Sequence, residues 1–200
     1  MRALVLEKPA PIETDPLLLC DLPLPQISEE EVLIRIRACG VCRTDLHIVE
    51  EEIPHHLLPL IPGHQIVGVV EEVGEKVKDL SPGELVGVPW LNRVCGRCRF
   101  CQDGRENLCE SALFTGYDVL GGYAEYVATH QEAVYKLPEG YKDEELAPLL
   151  CGGVIGYRAY RMSGVKKGDT LGIFGFGSSA HLVAQIAKIE GVEIFVFTRS

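Results

Sequence analysis

Four closely spaced cysteines are the feature of this sequence that most restricts its fold. They follow the pattern C-x2-C-x2-C-x7-C and are Cys95, Cys98, Cys101 and Cys109. Thiolates this close repel one another, whereas a tetrahedral zinc ion neutralises all four and leaves no position open for a substrate. Two disulfides or an iron–sulfur cluster are the alternatives for such a group. The pattern favours a structural zinc ion that folds this lobe, defined as residues 95–109.

The overall composition is typical of a soluble globular protein. The 200 residues include 19 Lys and Arg against 29 Asp and Glu, which gives a formal net charge of -10. Nucleic acids and anionic membranes attract clustered positive charge, so we expect neither as a partner. The longest apolar runs have the length of strands, and we expect no segment that spans a bilayer.

The compartment decides how the eight cysteines are interpreted. Disulfides persist mainly in oxidising compartments, which secreted proteins reach through a signal peptide. The start of this chain, MRALVLEKPAP, alternates like a strand and lacks the charged-then-apolar order of such a peptide. We therefore expect a cytoplasmic protein in which the crowded cysteines bind metal.

The first part of the chain, to about residue 137, has the pattern of a β-barrel. Short runs of alternating apolar and polar residues are separated by Gly/Pro turns. The clearest runs lie at 31–38, 65–73, 84–89 and 122–130. This arrangement predicts a compact, partly open β-barrel.

The pattern changes at about residue 143. A helical stretch over about 143–163 precedes a strand at 170–174, a glycine turn, a helix over about 178–190 and a strand at 193–197. This β-α-β order implies a parallel sheet and makes the chain a mixed β and α/β protein. We place the boundary between 140 and 165 and assign domains to 1–150 and 151–200. Because two strands and one helix cannot cover both faces of their sheet, we expect a fragment of a longer protein or another covering chain.

Three further residues suggest a second metal site. Cys42 lies in GVCRTDLH, His64 in IPGHQIVG and Cys151 in LLCGG, each beside glycines. Taken singly, the cysteines are typical of small buried residues, and the histidine of a turn. Taken together, two cysteines and one histidine with a fourth position left open form the pattern of a catalytic zinc site.

These motifs, followed by GFGSSA, resemble in the same order those of the zinc-dependent medium-chain alcohol dehydrogenases. The resemblance implies a GroES-like β-barrel catalytic domain followed by an incomplete Rossmann-type β-α-β unit. It implies two zinc ions per chain, with Cys42, His64 and Cys151 holding the catalytic one. It also implies hydride transfer between small primary alcohols or aldehydes and NAD(P). A polyol dehydrogenase and a zinc-binding fragment without catalysis are the alternatives.

The same resemblance assigns roles to residues that follow Cys42. It implies that Thr44 and His47 pass the substrate's proton to water, since a hydroxyl accepts and donates at once and histidine titrates near neutrality. It implies that Arg43 contacts the cofactor's pyrophosphate and that Asp45 orients a zinc ligand. Thr44 alone is equally typical of a turn.

One residue departs from the family pattern. Gln65 follows His64 where the family usually has glutamate. A neutral amide keeps the shape and removes a negative charge from behind the metal. We therefore expect a zinc ion that is a somewhat stronger Lewis acid.

Two aromatic residues are candidates for the substrate pocket. Trp90, the only tryptophan, occupies a position that resembles the one narrowing the pocket in family members acting on small primary alcohols. Tyr117 is a weaker candidate. The alternative for Trp90 is a core residue.

The segment after residue 170 carries the expected cofactor site. Gly175 and Gly177 lie in a G-x-G-x-x-A turn between a strand and a helix, where the backbone can approach a pyrophosphate. Enzymes that bind NAD usually carry an acidic residue after the second strand, but this chain has Thr198, Arg199 and Ser200. These side chains suit the 2′-phosphate of NADP, so we expect NADP rather than NAD. We also expect the full-length protein to be a homo-oligomer.

Overall fold

The computed structural model describes residues 1–54 and 57–199. It divides the chain into two compact units, Met1–Ala147 and Pro148–Ser200. Ser200, one of the expected cofactor residues, lies outside the described residues. None of the described helices has the length and apolar character needed to cross a lipid bilayer.

The first unit is built mainly from antiparallel strands. Its strands are β1 (Arg2–Leu6), β2 (Leu17–Asp21), β3 (Glu31–Cys39), β4 (Ile66–Val73), β5 (Leu85–Val88), β6 (Leu91–Arg93), β7 (Leu113–Phe114), β8 (Tyr126–His130) and β9 (Tyr135–Lys136). Its helices are α1 (Arg43–Val49), α2 (Arg99–Gln102) and α3 (Asp143–Leu146). The largest sheet has the strand order β8-β3-β4-β5-β9. The predicted runs at 31–38, 65–73 and 84–89 agree with β3, β4 and β5 to within one residue at each end.

Three consecutive apolar residues of β3, Val32, Leu33 and Ile34, are buried and show how this sheet contributes to the core. Val32 and Ile34 are fully buried, whereas Arg35 faces solvent and pairs with Glu71 at 3.3 Å. Burying a side chain such as valine or isoleucine contributes about 1.5–3 kcal/mol. The core of the sheet consists of Val32, Ile34, Ile66, Val70, Val86, Val88, Val127 and Ala133.

The run predicted as a strand at 122–130 begins later, at Tyr126. Its first residues, together with Gly121 just before them, instead bind the backbone of the loop before β4. Gly121 N–H donates to Ile61 O at 2.7 Å, and Gly122 N–H donates to Gly63 O at 2.8 Å. A Cβ on Gly121 would lie 2.3 Å from Gly63 O, so only glycine permits this close approach. The contact fixes the loop that carries His64.

The second unit contains the predicted β-α-β order. Its elements are α4 (Gly152–Ser163), β10 (Thr170–Phe174), α5 (Ser178–Ile189) and β11 (Glu193–Phe197). The two strands are parallel, with Thr170 opposite Glu193 and Phe174 opposite Phe197. Both strand predictions agree with the structure residue for residue.

The stretch predicted as helical over about 143–163 is helical in the structure, but it is divided into three segments. The chain forms α3, a 3-10 turn over Ala147–Leu150, and then α4. Pro148 lacks the N–H that a continuous helix needs, and Gly152 and Gly153 are poor helix formers. Cys151 separates the segments with φ -131° and ψ -81°. The break therefore places a cysteine directly before α4 instead of within a helix.

Candidate metal centres and cofactor site

The four lobe cysteines converge on one point. Their sulfur atoms all lie within 4.8 Å of one another. Cys101 Sγ is 3.5 Å from Cys98 Sγ and 3.9 Å from Cys95 Sγ. Four sulfurs bound at about 2.3 Å to a tetrahedral zinc ion are about 3.8 Å apart, whereas a disulfide requires about 2.05 Å. The structure thus confirms the four-thiol cluster that the spacing predicts, and the separations fit a single ion.

The backbone of the lobe prepares it for a cation. Hydrogen bonds from the backbone N–H groups of Arg97 and Cys98 lower the pKa of Cys95 to about 6. Loss of solvent, followed by hydrogen bonding with Cys98, raises the pKa of Cys101 to about 12. The lowered pKa favours the thiolate of Cys95, which is the form of cysteine that binds a metal ion.

The second group of predicted ligands begins with Cys42 and His64. Cys42 precedes the first turn of α1 in an extended conformation, and His64 follows Gly63, whose φ is +95°. A positive φ suits glycine, so this turn of the chain depends on Gly63. Cys42 Sγ and a ring nitrogen of His64 lie within 4.8 Å of each other. His64 is almost completely buried.

The Asp45 carboxylate forms hydrogen bonds with both Cys42 and His64 and fixes their positions. Its Oδ1 accepts from His64 Nδ1 at 3.0 Å and from Gly63 N–H at 3.2 Å, and its Oδ2 accepts from Cys42 N–H at 2.8 Å. A histidine whose Nδ1 donates to a carboxylate presents the lone pair of Nε2 to a metal. The donor set is thus a sulfur and an imidazole nitrogen, the ligands that zinc prefers.

Cys151 belongs to the second unit. It is buried and lies directly before the first turn of α4, and the amide of Ile155 donates to its carbonyl at 3.0 Å. Its participation in the same metal site as Cys42 and His64 stays a prediction.

The predicted relay residues lie on α1. Thr44 Oγ1 is 3.7 Å from Cys42 Sγ, and both side chains are partly buried. His47 Nδ1 is in contact with the carboxylate of Glu52, and about one third of the His47 side chain is exposed. Arg43, the expected pyrophosphate contact, is exposed at the start of the helix. The hydroxyl thus lies beside the predicted metal ligand, and the histidine reaches the surface.

Trp90 lies against a predicted metal ligand. Its ring meets the His64 ring edge to face, with centroids 4.9 Å apart. It stacks on Phe114 at 4.9 Å and lies 6.0 Å from the ring of Tyr117. Tyr117 donates its hydroxyl to Pro54 O at 2.5 Å. The two aromatic residues chosen from the sequence therefore belong to one aromatic group with His64 and Phe114.

Gln65 is buried with only 5% of its surface exposed. Its side chain fills the space beside Gly40, where a Cβ would lie 2.7 Å from Gln65 Oε1. The Gly40 N–H donates to Gln65 O at 3.0 Å. This fit places a neutral amide next to His64.

Three of the expected cofactor residues, Gly175, Thr198 and Arg199, line an open cavity in the second unit. It is bounded by Gly175, Val196, Phe197, Thr198 and Arg199. Gly175 follows β10 with φ +84°, and its N–H donates to Phe197 O at 2.7 Å. Gly177 precedes the first turn of α5, and apart from its chain neighbours and its own helix no described atom lies within 4 Å of the position its Cβ would take. Two glycines thus leave the backbone of this turn open on either side of Phe176.

Comparison with known proteins identifies the family. The sequence model of the alcohol dehydrogenase GroES-like domain matches residues 28–139. The probable alcohol dehydrogenase AdhA of Mycobacterium tuberculosis is 45% identical over 204 residues, a match that covers 100% of this chain and 59% of the relative. This chain belongs to the medium-chain alcohol dehydrogenase family. The predicted fold, a GroES-like β-barrel followed by part of a Rossmann-type domain, is confirmed.

Solved structures of this family have the same fold. The thermostable alcohol dehydrogenase of Pyrobaculum aerophilum, with cobalt and zinc bound, has a TM-score of 0.90 and 30% identity, and the match covers 100% of this chain and 60% of that one. CAD from Helicobacter pylori, complexed with NADP(H), has a TM-score of 0.88 and 28% identity, with 100% and 59% covered. The chain therefore spans a little over half the length of these alcohol dehydrogenases.

Sequence reasoning missed two residues near the predicted site. Glu52 contacts His47, and Tyr123 packs on Gly63, the residue before His64. The pair of glycines before Tyr123 was the one available signal, since adjacent glycines often mark a close backbone approach. Nothing in the spacing of Glu52 indicated its contact with His47.

Proposed function

We propose that this chain forms the catalytic domain, 1–150, and the start of the nucleotide-binding domain, 151–200, of a zinc-dependent alcohol dehydrogenase. Its substrates are small primary alcohols and aldehydes, and its cofactor is NADP in preference to NAD. The observation that carries the proposal is the Asp45 carboxylate, which binds the amide of Cys42 and the ring of His64 at once. A carboxylate that accepts a hydrogen bond from a metal-binding histidine is typical of zinc sites.

Different residues of the site bind the metal ions and orient the metal ligands. Cys42 and His64, joined by Cys151, hold one zinc ion, and the four lobe cysteines hold a second. When bound, zinc polarises a substrate oxygen, and the nicotinamide cofactor exchanges the hydride. Asp45 keeps the proton on His64 Nδ1, so that the other ring nitrogen serves as a ligand.

Thr44 and His47 move the proton. The hydroxyl of Thr44, beside Cys42, accepts a proton from the substrate and donates its own. His47 lies one helical turn further along α1 and is partly exposed, so it can deliver the proton to water. Glu52 contacts Nδ1 and holds the His47 ring in place during this step.

Trp90 limits the size of the substrate. Its contacts with His64 and Phe114 hold the indole beside the proposed metal ligand. A large ring there leaves room for short, unbranched chains, which favours small alcohols over polyols.

The first test combines metal content with turnover. The full-length gene product and the 200-residue chain are assayed side by side with NADPH and a short aldehyde, and zinc is counted in each. We expect two zinc ions per chain, and Cys42→Ser should retain one ion and lose turnover. Cys20→Ser, outside both groups, should retain both ions and full activity. A wild-type chain with one zinc ion, or an active Cys42→Ser protein, would contradict the proposal.

The second test addresses the cofactor. Arg199 lines the cavity at the end of β11, where its guanidinium suits a 2′-phosphate. Arg199→Gln should weaken NADP binding about tenfold or more and leave NAD binding nearly unchanged, since a charge-assisted hydrogen bond contributes roughly 1.5–3 kcal/mol. Arg158→Gln, which changes an exposed arginine of α4, is the matched control. Equal losses for NAD and NADP in a competition titration would refute the assignment.

Two further expectations belong to the whole protein. We propose a cytoplasmic location, since thiolate zinc sites need reducing conditions. We also propose a homo-oligomer that binds neither nucleic acid nor membrane, in keeping with a net charge of -10.

A further inference from the structure

Tyr123 has a buried hydroxyl with an unmet hydrogen-bonding requirement. Among the buried side-chain oxygens and nitrogens of the described residues, its Oη is the one atom without a hydrogen-bond partner. Leaving a hydroxyl buried and unpaired costs about 1–3 kcal/mol. Phenylalanine would supply the same ring without that cost, so packing of the ring alone does not account for the hydroxyl.

The ring of Tyr123 is held firmly against the loop that carries His64. A Cβ on Gly63 would lie 2.6 Å from Tyr123 Cδ1 and 2.9 Å from Cys39 Sγ. The Tyr123 N–H donates to Pro62 O at 3.0 Å. The side chain therefore occupies the space that the missing Gly63 side chain leaves open.

The Asp45 carboxylate is the charged group that acts most strongly on the Tyr123 hydroxyl. Burial, and then the negative charge of Asp45, raise the pKa of Tyr123 well above its ordinary value. The hydroxyl is therefore a donor throughout the neutral range. Asp45 accepts from Cys42 N–H, Gly63 N–H and His64 Nδ1. An ionised carboxylate has about four lone-pair sites, so one site remains for another donor.

We propose that Tyr123 is a positioning residue that donates its hydroxyl to Asp45 when a metal ion binds His64. The residue touches neither metal nor substrate. It fixes the Asp45 carboxylate, which orients the His64 ring, and so strengthens metal binding indirectly. This inference rests on the proposed zinc site of Cys42 and His64.

The test measures zinc affinity separately from activity. Tyr123→Phe removes one oxygen and keeps the packing, and zinc is withdrawn from the loaded chain by titration with a chromogenic chelator. We expect the zinc affinity of the Cys42–His64 site to fall about tenfold. This is the lower end of the loss in metal affinity found when a residue that orients a metal ligand is mutated. The lobe zinc should keep its affinity and serves as an internal reference. Tyr135→Phe, which removes an exposed hydroxyl, is the matched control.

A double-mutant cycle ties the effect to Asp45. If Tyr123 acts through Asp45, the loss in Tyr123→Phe should largely disappear in an Asp45→Asn background, because the two changes break one interaction. Unchanged affinity in Tyr123→Phe, equal losses at both zinc sites, or strictly additive effects would each overturn the inference. A wild-type chain that binds zinc only in the lobe would instead remove the proposed function, and this inference with it.

Discussion

Cys39 illustrates at the residue scale how burial alone gives a side chain a measurable property. Burial raises the pKa of its thiol from 9.0 to about 12, and a backbone hydrogen bond from Gln65 opposes the shift only in part. A raised pKa means that the folded chain holds this proton more tightly than the unfolded chain does. The resulting stability is complete below pH 9 and is lost as the pH rises toward 12.

We predict a steeper alkaline loss of stability in wild type than in Cys39→Ser, whose hydroxyl does not ionise. Between pH 8 and pH 10 the wild-type free energy of unfolding should fall by about 1 kcal/mol more than that of the variant. Urea unfolding of the zinc-loaded chains at the two pH values measures this difference. Cys20→Ser should behave as wild type. Parallel pH dependence in wild type and Cys39→Ser would contradict the prediction.

At this scale, the sequence indicates ligands better than it indicates their surroundings. The four lobe thiols are predictable because they lie within fifteen residues and share one requirement, a cation. The contact between His64 and Trp90 joins residues 26 positions apart on different loops. The packing of Tyr123 on Gly63 likewise depends on how Gly121 and Gly122 pack on a distant backbone. Such contacts follow from tertiary packing, which no local pattern encodes.

At the scale of elements, a glycine within β4 sets how closely two strands pack. Gly68 lies opposite Ile36 of β3, and a Cβ there would come within 2.5 Å of Arg35 O and 2.6 Å of the Ile34 side chain. Both strands contribute to the main core. The small residue is therefore required by the sheet itself.

We predict that Gly68→Ala lowers the free energy of unfolding by about 1–3 kcal/mol, because the new methyl group overpacks the core. Gly172→Ala in β10 is the matched control, since its Cβ would meet the nearest side chain at an ordinary 3.6 Å. Denaturant unfolding of both variants gives the comparison. Equal stability of the two proteins would show that β3 and β4 can separate to accept a methyl group.

The elements themselves were largely predictable. Strands β10 and β11 are short, apolar and bounded by glycines and charges, and they agree with the structure at every residue. The stretch 143–163 is helical as predicted, but its division into segments was harder to predict because the composition is helical on both sides of Cys151. Pro148 and the glycines after Cys151 were the signals for that division.

At the scale of the whole molecule, the two units differ in how well they cover their apolar surface. The sheet of the first unit buries its core residues almost completely. In the second unit, Phe174 is 83% exposed and stacks on Phe197, which is 52% exposed. Exposed aromatic residues on adjacent strands are typical of surfaces that bind another protein segment.

We predict that the 200-residue chain associates with itself through these strands as its concentration rises. Phe174→Glu should lower the weight-average mass at high concentration, because it adds a charge to the exposed apolar surface. Tyr141→Glu, which changes an aromatic residue 61% exposed on the first unit, should leave the association unchanged. Sedimentation velocity over a concentration series distinguishes them. Identical behaviour of wild type and Phe174→Glu would exclude this surface.

The edge-to-face contact between Trp90 and His64 has a consequence for how such a protein can change. The indole that we propose limits the substrate also packs against an imidazole, so a smaller residue at position 90 would free that ring to tilt. A mutant selected for bulkier alcohols would consequently hold its metal less tightly. Adaptation to new substrates along this route would need a second, compensating substitution in the aromatic neighbours, of which Phe114 is the best placed. Substrate range and metal retention would thus evolve as one trait.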